Sequence, residues 1–233
     1  MISMLAYILA GGEKTEFTPQ GKAFARIHGK QMVEYVIEAL QGVSEIEHIV
    51  VINNQKSLLD NLREALQQPE NPDEYILIAT CDVPFLTADA VRDFLDRCNC
   101  EADFYYPIVG KEDQERRFPE IRRTYVKLKE GSFTGGNLFL VKPSKLIPLL
   151  GRVEKILDLR KSPLALSAEL GFSFVLRMAF SKLTGMLTIR KVEDRVAELF
   201  QINARAVISP YPELANDIDR PEDLLLAENL LSG

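Results

Sequence analysis

Three short segments carry residue types suited to phosphate chemistry. The first is Leu9-Ala10-Gly11-Gly12, followed by Lys22. Glycine has no Cβ, so its backbone N–H can approach an anion closely, and a lysine adds a mobile point charge. The second is Ala79-Thr80-Cys81-Asp82-Val83-Pro84-Phe85-Leu86-Thr87, in which Asp82 follows an apolar run. The third is Asn216-Asp217-Ile218-Asp219-Arg220-Pro221-Glu222-Asp223-Leu224. On an extended segment Asp217 and Asp219 share a face. Two such carboxylates repel unless a cation lies between or beside them, and Mg²⁺ binds through one or two carboxylates plus substrate phosphates. Each segment also has a plain structural reading: a tight turn, a turn cap at Asp82, and an acidic first helical turn at Glu222 and Asp223 that complements the helix dipole. That last reading explains Asp217 less well. A Walker A loop is excluded, because Ala23 follows Gly21-Lys22 and Glu16 stands where the leading glycine belongs. A dinucleotide fingerprint fails for want of a third glycine opening a helix.

The elements that must position these residues follow from hydrophobic spacing. Met4–Leu9 and Ile46–Ile52 read as buried strands, Tyr75–Thr80 as an apolar strand and Phe104–Val109 as a further strand. Met32–Leu40, Ser57–Gln67 and Ala88–Arg97 read as amphipathic helices, the last with Thr87 as N-cap. Near-continuous apolar strands separated by helices imply a mostly parallel sheet covered on both faces. Both candidate loops then lie at the carboxyl ends of strands, where open α/β sheets bind ligands. Beyond Gly110 the pattern changes. Lys111–Lys129 is charged, and its end, Arg123–Leu128, alternates as a hairpin or edge strand does. Asn137–Val141 and Ala204–Ile208 read as strands, Ser144–Gln201 as mostly helical, and Pro221 as the N1 proline of a last helix, Glu222–Leu231.

A length of 233 residues suits one domain, here 1–233, with a helical subdomain at about 144–202. The formal charge of −6 lacks the basic excess that a nucleic acid or anionic membrane partner favours. Cys81, Cys98 and Cys100 form no zinc-type spacing with the two histidines, His28 and His48. The most apolar stretch, Phe172–Ile189, is interrupted by Arg177 and Lys182, so no membrane span is expected. Without a secretory signal pattern the expected location is cytoplasmic. The apolar block 163–189 reads as core, or as a face for a homodimer.

Together the segments resemble the MobA-like nucleotidyltransferases, a broad group with the GT-A type α/β fold. It includes enzymes that attach GMP or CMP to molybdenum cofactor, CTP-dependent cytidylyltransferases of isoprenoid synthesis and sugar-phosphate nucleotidyltransferases. The resemblance rests on Leu9–Gly12 with Lys22 in register, Cys81–Thr87, Asp217–Leu224 and the stretch Thr134-Gly135-Gly136-Asn137, in order over roughly residues 3–143 and 203–231. It implies a three-layer α/β/α domain with a mostly parallel sheet and a helical insertion. By it, Leu9, Ala10, Gly11, Gly12 and Lys22 would bind a nucleoside triphosphate, and Lys22 would neutralise the phosphates in the transition state. Asp82 would hold catalytic Mg²⁺ with Asp217, and Asp219 would ligate or assist. Gly135, Gly136 and Asn137 would receive the acceptor. Two departures stand out: Glu16 replaces the arginine usual in the loop, and the block near Pro163–Ile189 has no counterpart in the molybdenum-cofactor enzymes.

The chemistry implied is in-line attack by an acceptor oxygen, on a phosphorylated small molecule, at the α-phosphate, with pyrophosphate leaving. Such transfer needs positioning and charge neutralisation rather than a covalent nucleophile. Arg116, Arg117, Arg122 and Arg123 are candidates for holding the acceptor's phosphate, or a solvated surface. Two other readings remain open. Asp217-Ile218-Asp219 spells the Asp-x-Asp of GT-A glycosyltransferases, and Glu16 suits a non-catalytic nucleotide-binding protein on a degenerate scaffold.

Overall fold

The computed structural model describes residues 3–11, 21–53, 57–159 and 187–232, with side chains at 156–159 left aside. In chain order the strands are β1 (Met4–Leu9), β2 (Arg26–Ile27), β3 (Lys30–Gln31), β4 (Ile46–Ile52), β5 (Ile76–Thr80), β6 (Phe104–Gly110), β7 (Val126–Leu128), β8 (Gly131–Gly135), β9 (Leu138–Val141) and β10 (Ala204–Ser209). The α-helices are α1 (Met32–Gln41), α2 (Leu58–Gln67), α3 (Ala88–Asp96), α4 (Lys111–Arg117), α5 (Pro143–Leu146), α6 (Leu150–Leu159), α7 (Ile189–Phe200) and α8 (Pro221–Leu230).

β1 can lie inside the sheet, between β4 and β5, because it is apolar on both sides: Ala6, Tyr7, Ile8 and Leu9 are all buried. It runs parallel to β4 and to β5. Register pairs Leu9 with Thr80, so the chain leaves β1 and β5 side by side. That alignment sets Ala10–Gly11 next to Cys81–Asp82. β9 runs antiparallel between β5 and the start of β6, and β8 continues along the end of β6. β7 pairs with β8 as an edge hairpin, and β10 lies parallel on the far side of β6. The sheet is therefore mixed but mostly parallel in its core, with helices on both faces. β2 and β3 form a separate two-stranded ribbon.

Side-chain alternation divides the core. Ala6, Ile8, Leu77 and Ala79 face α1 and α3, through Val36, Leu40, Val91 and Phe94. Tyr7, Leu9, Ile76 and Ile78 face α2, through Ala65 and Leu66. The helices start on conventional caps. Ser57 Oγ accepts from the Asp60 amide and Thr87 Oγ1 from the Ala90 amide, each meeting an N–H that the helix cannot satisfy.

The charged stretch after Gly110 differs from its sequence reading. It opens with α4, whose exposed surface has no apolar stripe. Ion pairs Lys111–Glu115 and Arg116–Asp113 line it, and the buried Gln114 anchors it. The hairpin expected near Arg123–Leu128 is β7–β8, beginning three residues later than the alternation suggests. Of Ser144–Gln201, the described parts are α5, a short 3₁₀ turn, α6 and α7. Most of the apolar block 163–189 lies outside the described residues. Among the described residues no helix is long and apolar enough to cross a membrane.

Candidate active site

The site is assembled at the carboxyl ends of β1 and β5. Leu9 and Ala10 are buried in the backbone exit from β1, and Gly11 is half-buried. Gly12, with Glu16 and the rest of the loop to Gln20, lies outside the described residues. The chain returns at Gly21, whose φ of +99° is a conformation that L side chains resist, and turns directly into Lys22.

Lys22 Nζ lies 3.2 Å from Asp82 Oδ2 and 2.5 Å from Asp219 Oδ1. Three main-chain bonds hold the acidic segments in place. Ile218 N donates to Asp82 O at 2.9 Å, fastening the 216–219 segment to the loop after β5. Asn137 N donates to Leu214 O at 2.8 Å, while Asn137 O accepts from Thr80 N. Asn137 Nδ2 also reaches Asp217 Oδ1 at 3.5 Å. Asn216 is buried, and its side chain bridges Pro212 O and Gln114 Nε2. As a result one oxygen from each of Asp82, Asp217 and Asp219 falls within 4.8 Å of the others, in the one such cluster of potential metal ligands among the described residues.

Arg123 adds a second cation to the cluster, its Nη2 2.6 Å from Asp217 Oδ1. It was grouped with three other arginines by sequence, yet it alone reaches the carboxylates. Arg116 pairs with Asp113 and Arg117 with Glu213. Arg122 is exposed and lines a cleft of about 570 Å³ with Glu120, Arg123, Thr134, Asp219 and Arg220.

The electrostatics follow from burial and proximity. Burial pushes the Asp217 carboxyl above the usual carboxylate range; Asp82 and Asp219 add to this, and Arg123 only partly opposes it. Burial also works to raise Asp219, but the hydrogen bond and charge of Lys22 outweigh it and hold that carboxyl low. Burial lowers Lys22, yet Asp82 and Asp219 leave it raised overall. Burial drives the Cys81 thiol far up, so it is no nucleophile at neutral pH.

The glycine pair of the second loop has a steric reason. A Cβ on Gly135 would meet Tyr106 Oη at 1.8 Å, and one on Gly136 would meet Pro107 Cγ at 2.8 Å. Gly135 thus makes room for the Tyr106 ring, which stacks on Phe139. Gly136 donates to Pro107 O, locking the β8–β9 connection beside Asn137.

Could these residues take a divalent cation? Their donors are all carboxylate oxygens, the preference of Mg²⁺. Among the described residues Asp82 Oδ1 is buried without a hydrogen-bond partner, an unmet acceptor that a hard cation would satisfy. The residues fit the ion.

The sequence of residues 6–162 matches the MobA-like NTP transferase domain. The chain belongs to this family. It is 30% identical over 136 residues to a probable molybdenum cofactor guanylyltransferase of Clostridium perfringens, an alignment covering 51% of this chain and 64% of the relative. The match thus spans just under two thirds of that relative's length. Among solved structures it is similar to a hypothetical transferase from Thermus thermophilus, 37% identical with a TM-score of 0.83, covering 96% of this chain and all of that one. A 4-diphosphocytidyl-2C-methyl-D-erythritol synthase from Anaerococcus prevotii superposes with a TM-score of 0.61 over the whole chain and 97% of its own, at 11% identity. That likeness establishes the shared fold of the MobA-like domain.

Proposed function

We propose that this MobA-like chain is a Mg²⁺-dependent nucleotidyltransferase that moves a nucleoside monophosphate from a triphosphate to a phosphorylated small molecule. The observation that carries the proposal is the convergence of Lys22 with Asp82, Asp217 and Asp219 at the joined ends of β1 and β5.

The acceptor oxygen forms a bond to the α-phosphorus as the bond to the β-phosphate oxygen breaks, releasing pyrophosphate. An acceptor phosphate is already ionised at neutral pH, so no general base is required. Backbone N–H groups of the loop after β1 are suited to cradle the triphosphate, and Lys22 to neutralise charge on it. Asp82 and Asp217, with Asp219 assisting, would hold Mg²⁺, which supplies a Lewis acid for the transferring phosphoryl oxygens. The cleft beside Asp219, with Arg122, Arg123, Thr134 and Arg220 on its walls, suits the acceptor.

The guanylyltransferase relative nominates GTP and molybdenum cofactor as the first donor and acceptor to assay. Pyrophosphate release should require Mg²⁺, one particular triphosphate and the acceptor, and should be abolished in Asp82→Ala. An unchanged rate in that variant would remove Asp82 from the chemistry. Release of a nucleoside diphosphate from a sugar nucleotide instead would reassign the site to glycosyl transfer.

A further inference from the structure

Three carboxylates that crowd one point need positive charge, and here two side chains supply it, each to different carboxylates. Lys22 spends two of its three donors on Asp82 and Asp219. Arg123 spends Nη2 on Asp217. Among the described residues its Nε is buried without a hydrogen-bond partner, so its fork is only partly used there. Asp82 and Asp217 are each only 16% exposed, which leaves little water to screen them. Each cation also borders a different candidate substrate region. Lys22 follows the loop after β1, on the side proposed for the triphosphate. Arg123 is part of the cleft wall, on the side proposed for the acceptor.

We infer that Lys22 and Arg123 are internal counter-ions of the metal-free cluster, which give up their carboxylates to a divalent cation and turn to the donor and acceptor phosphates. The inference rests on the proposed metal site but adds a claim which that site does not require. Two single charges occupy the carboxylates until a doubly charged ion replaces them, so the net charge at the cluster is the same in both states. The exchange makes metal binding weak when metal is offered alone, because Lys22 and Arg123 compete for the same oxygens. It makes binding stronger when phosphates are present to receive the displaced side chains. By linkage, metal must then strengthen phosphate binding by the same factor. Lys22 and Arg123 would thereby couple the filling of the metal site to the arrival of substrates, and limit idle loading of metal.

The test uses Mn²⁺ alone, titrated into the metal-free chain of 233 residues and followed by the electron paramagnetic resonance signal of the free ion. Lys22→Met and Arg123→Met should each bind Mn²⁺ about tenfold more tightly than the wild type, the scale set by removing one charge within about 4–6 Å. Asp82→Asn should bind more weakly than the wild type. Lys22→Gln serves as the second variant should Lys22→Met fold poorly. If the Lys22 and Arg123 variants bind no more tightly while Asp82→Asn binds more weakly, the counter-ion role is overturned and the metal site stands. If Asp82→Asn binds as the wild type does, the metal site itself falls and takes the inference with it.

Discussion

Replacing Asp217 with Asn separates a site kept for a cation from an ordinary buried ion pair. Asp217 feels two opposing influences. Its carboxylate lies 2.6 Å from Arg123, an attraction of about 6 kcal/mol at an effective dielectric near 20. Asp82 and Asp219 have oxygens within 4.8 Å, each repelling it by about 3.5 kcal/mol on the same scale. The two repulsions together match the attraction, and burial then tips the balance against the charged form. The raised carboxyl of Asp217 agrees in direction. For a carboxyl held high, the sign is fixed: its contribution to stability is full at low pH and is lost as pH rises through the folded value. At neutral pH and without metal, Asp217 therefore contributes almost nothing net. Asp217→Asn keeps an acceptor for Arg123 and removes the repulsion. Its melting temperature in EDTA at pH 7 should stay within about 2–4 °C of the wild type, or exceed it, the shift for about 1 kcal/mol in a chain of this size. An ordinary buried pair broken on one side costs about 3–5 kcal/mol, or roughly 6–20 °C here. Differential scanning calorimetry at pH 5 and pH 7 distinguishes the two. A drop of more than about 6 °C at pH 7 in EDTA would refute the reasoning, because Asp217 would then be a structural anchor.

Further outcomes follow from neighbouring contacts. Gly135→Ala drives a methyl to 1.8 Å from Tyr106 Oη and 2.7 Å from its Cζ. Thermal unfolding should show a loss of about 1–3 kcal/mol, recovered in part by Tyr106→Leu in the same chain, which removes both atoms. Asn61 is fully buried in α2, and neither polar side-chain atom has a partner among the described residues. Asn61→Leu should raise stability by about 1 kcal/mol, seen as a higher urea midpoint at unchanged slope. Asp219 is held low by Lys22 against the effect of burial, so its contribution is full above the ordinary carboxylate range and lost as pH falls through its lowered value. In Lys22→Met the acid decline in melting temperature should therefore finish at a higher pH than in the wild type.

The core of the fold was legible where its strands are apolar on both faces, as in β1 and β5. Ile46–Ile52 is instead the edge of the sheet, half-exposed or exposed apart from Ile52, so its Val and Ile content marked a strand but not the buried one expected. Met4–Leu9 and Ile46–Ile52 end at the residues where the apolar runs end, since Gly11 and the turn residues stop them. Thr87 was readable as a cap because its hydroxyl sits one residue before an amphipathic stretch. α4 was missed because tertiary contacts, rather than an apolar stripe, hold it: Gln114 reaches Asn216 across the fold. A signal was nonetheless present, with Glu112 and Asp113 in the first turn and Arg116 and Arg117 in the last, as the helix dipole favours. In the site, Asp217 and Asp219 could be put on one face from their spacing, but that Lys22 would lie against Asp219 depends on the 3₁₀ turn after Gly21. The pairing of Arg123 with Asp217 had no local signal either, because it depends on how the β7–β8 edge packs against the last loop. The glycines at 135 and 136 could be seen as a small-residue stretch. Their reason, the Tyr106 ring and Pro107, is visible only in three dimensions.

The proposal of a nucleotidyltransferase site built from Lys22 and three aspartates is tested most directly by thermal unfolding with ATP, GTP, CTP and UTP, each with and without Mg²⁺, for the wild type and Asp82→Ala. A ligand that binds only the folded protein raises its melting temperature by mass action. One triphosphate should stabilise the wild type strongly with Mg²⁺ and weakly without it, and Asp82→Ala should lose the Mg²⁺-dependent part. Stabilisation by none of the four, or by a triphosphate equally in Asp82→Ala and without Mg²⁺, would contradict it.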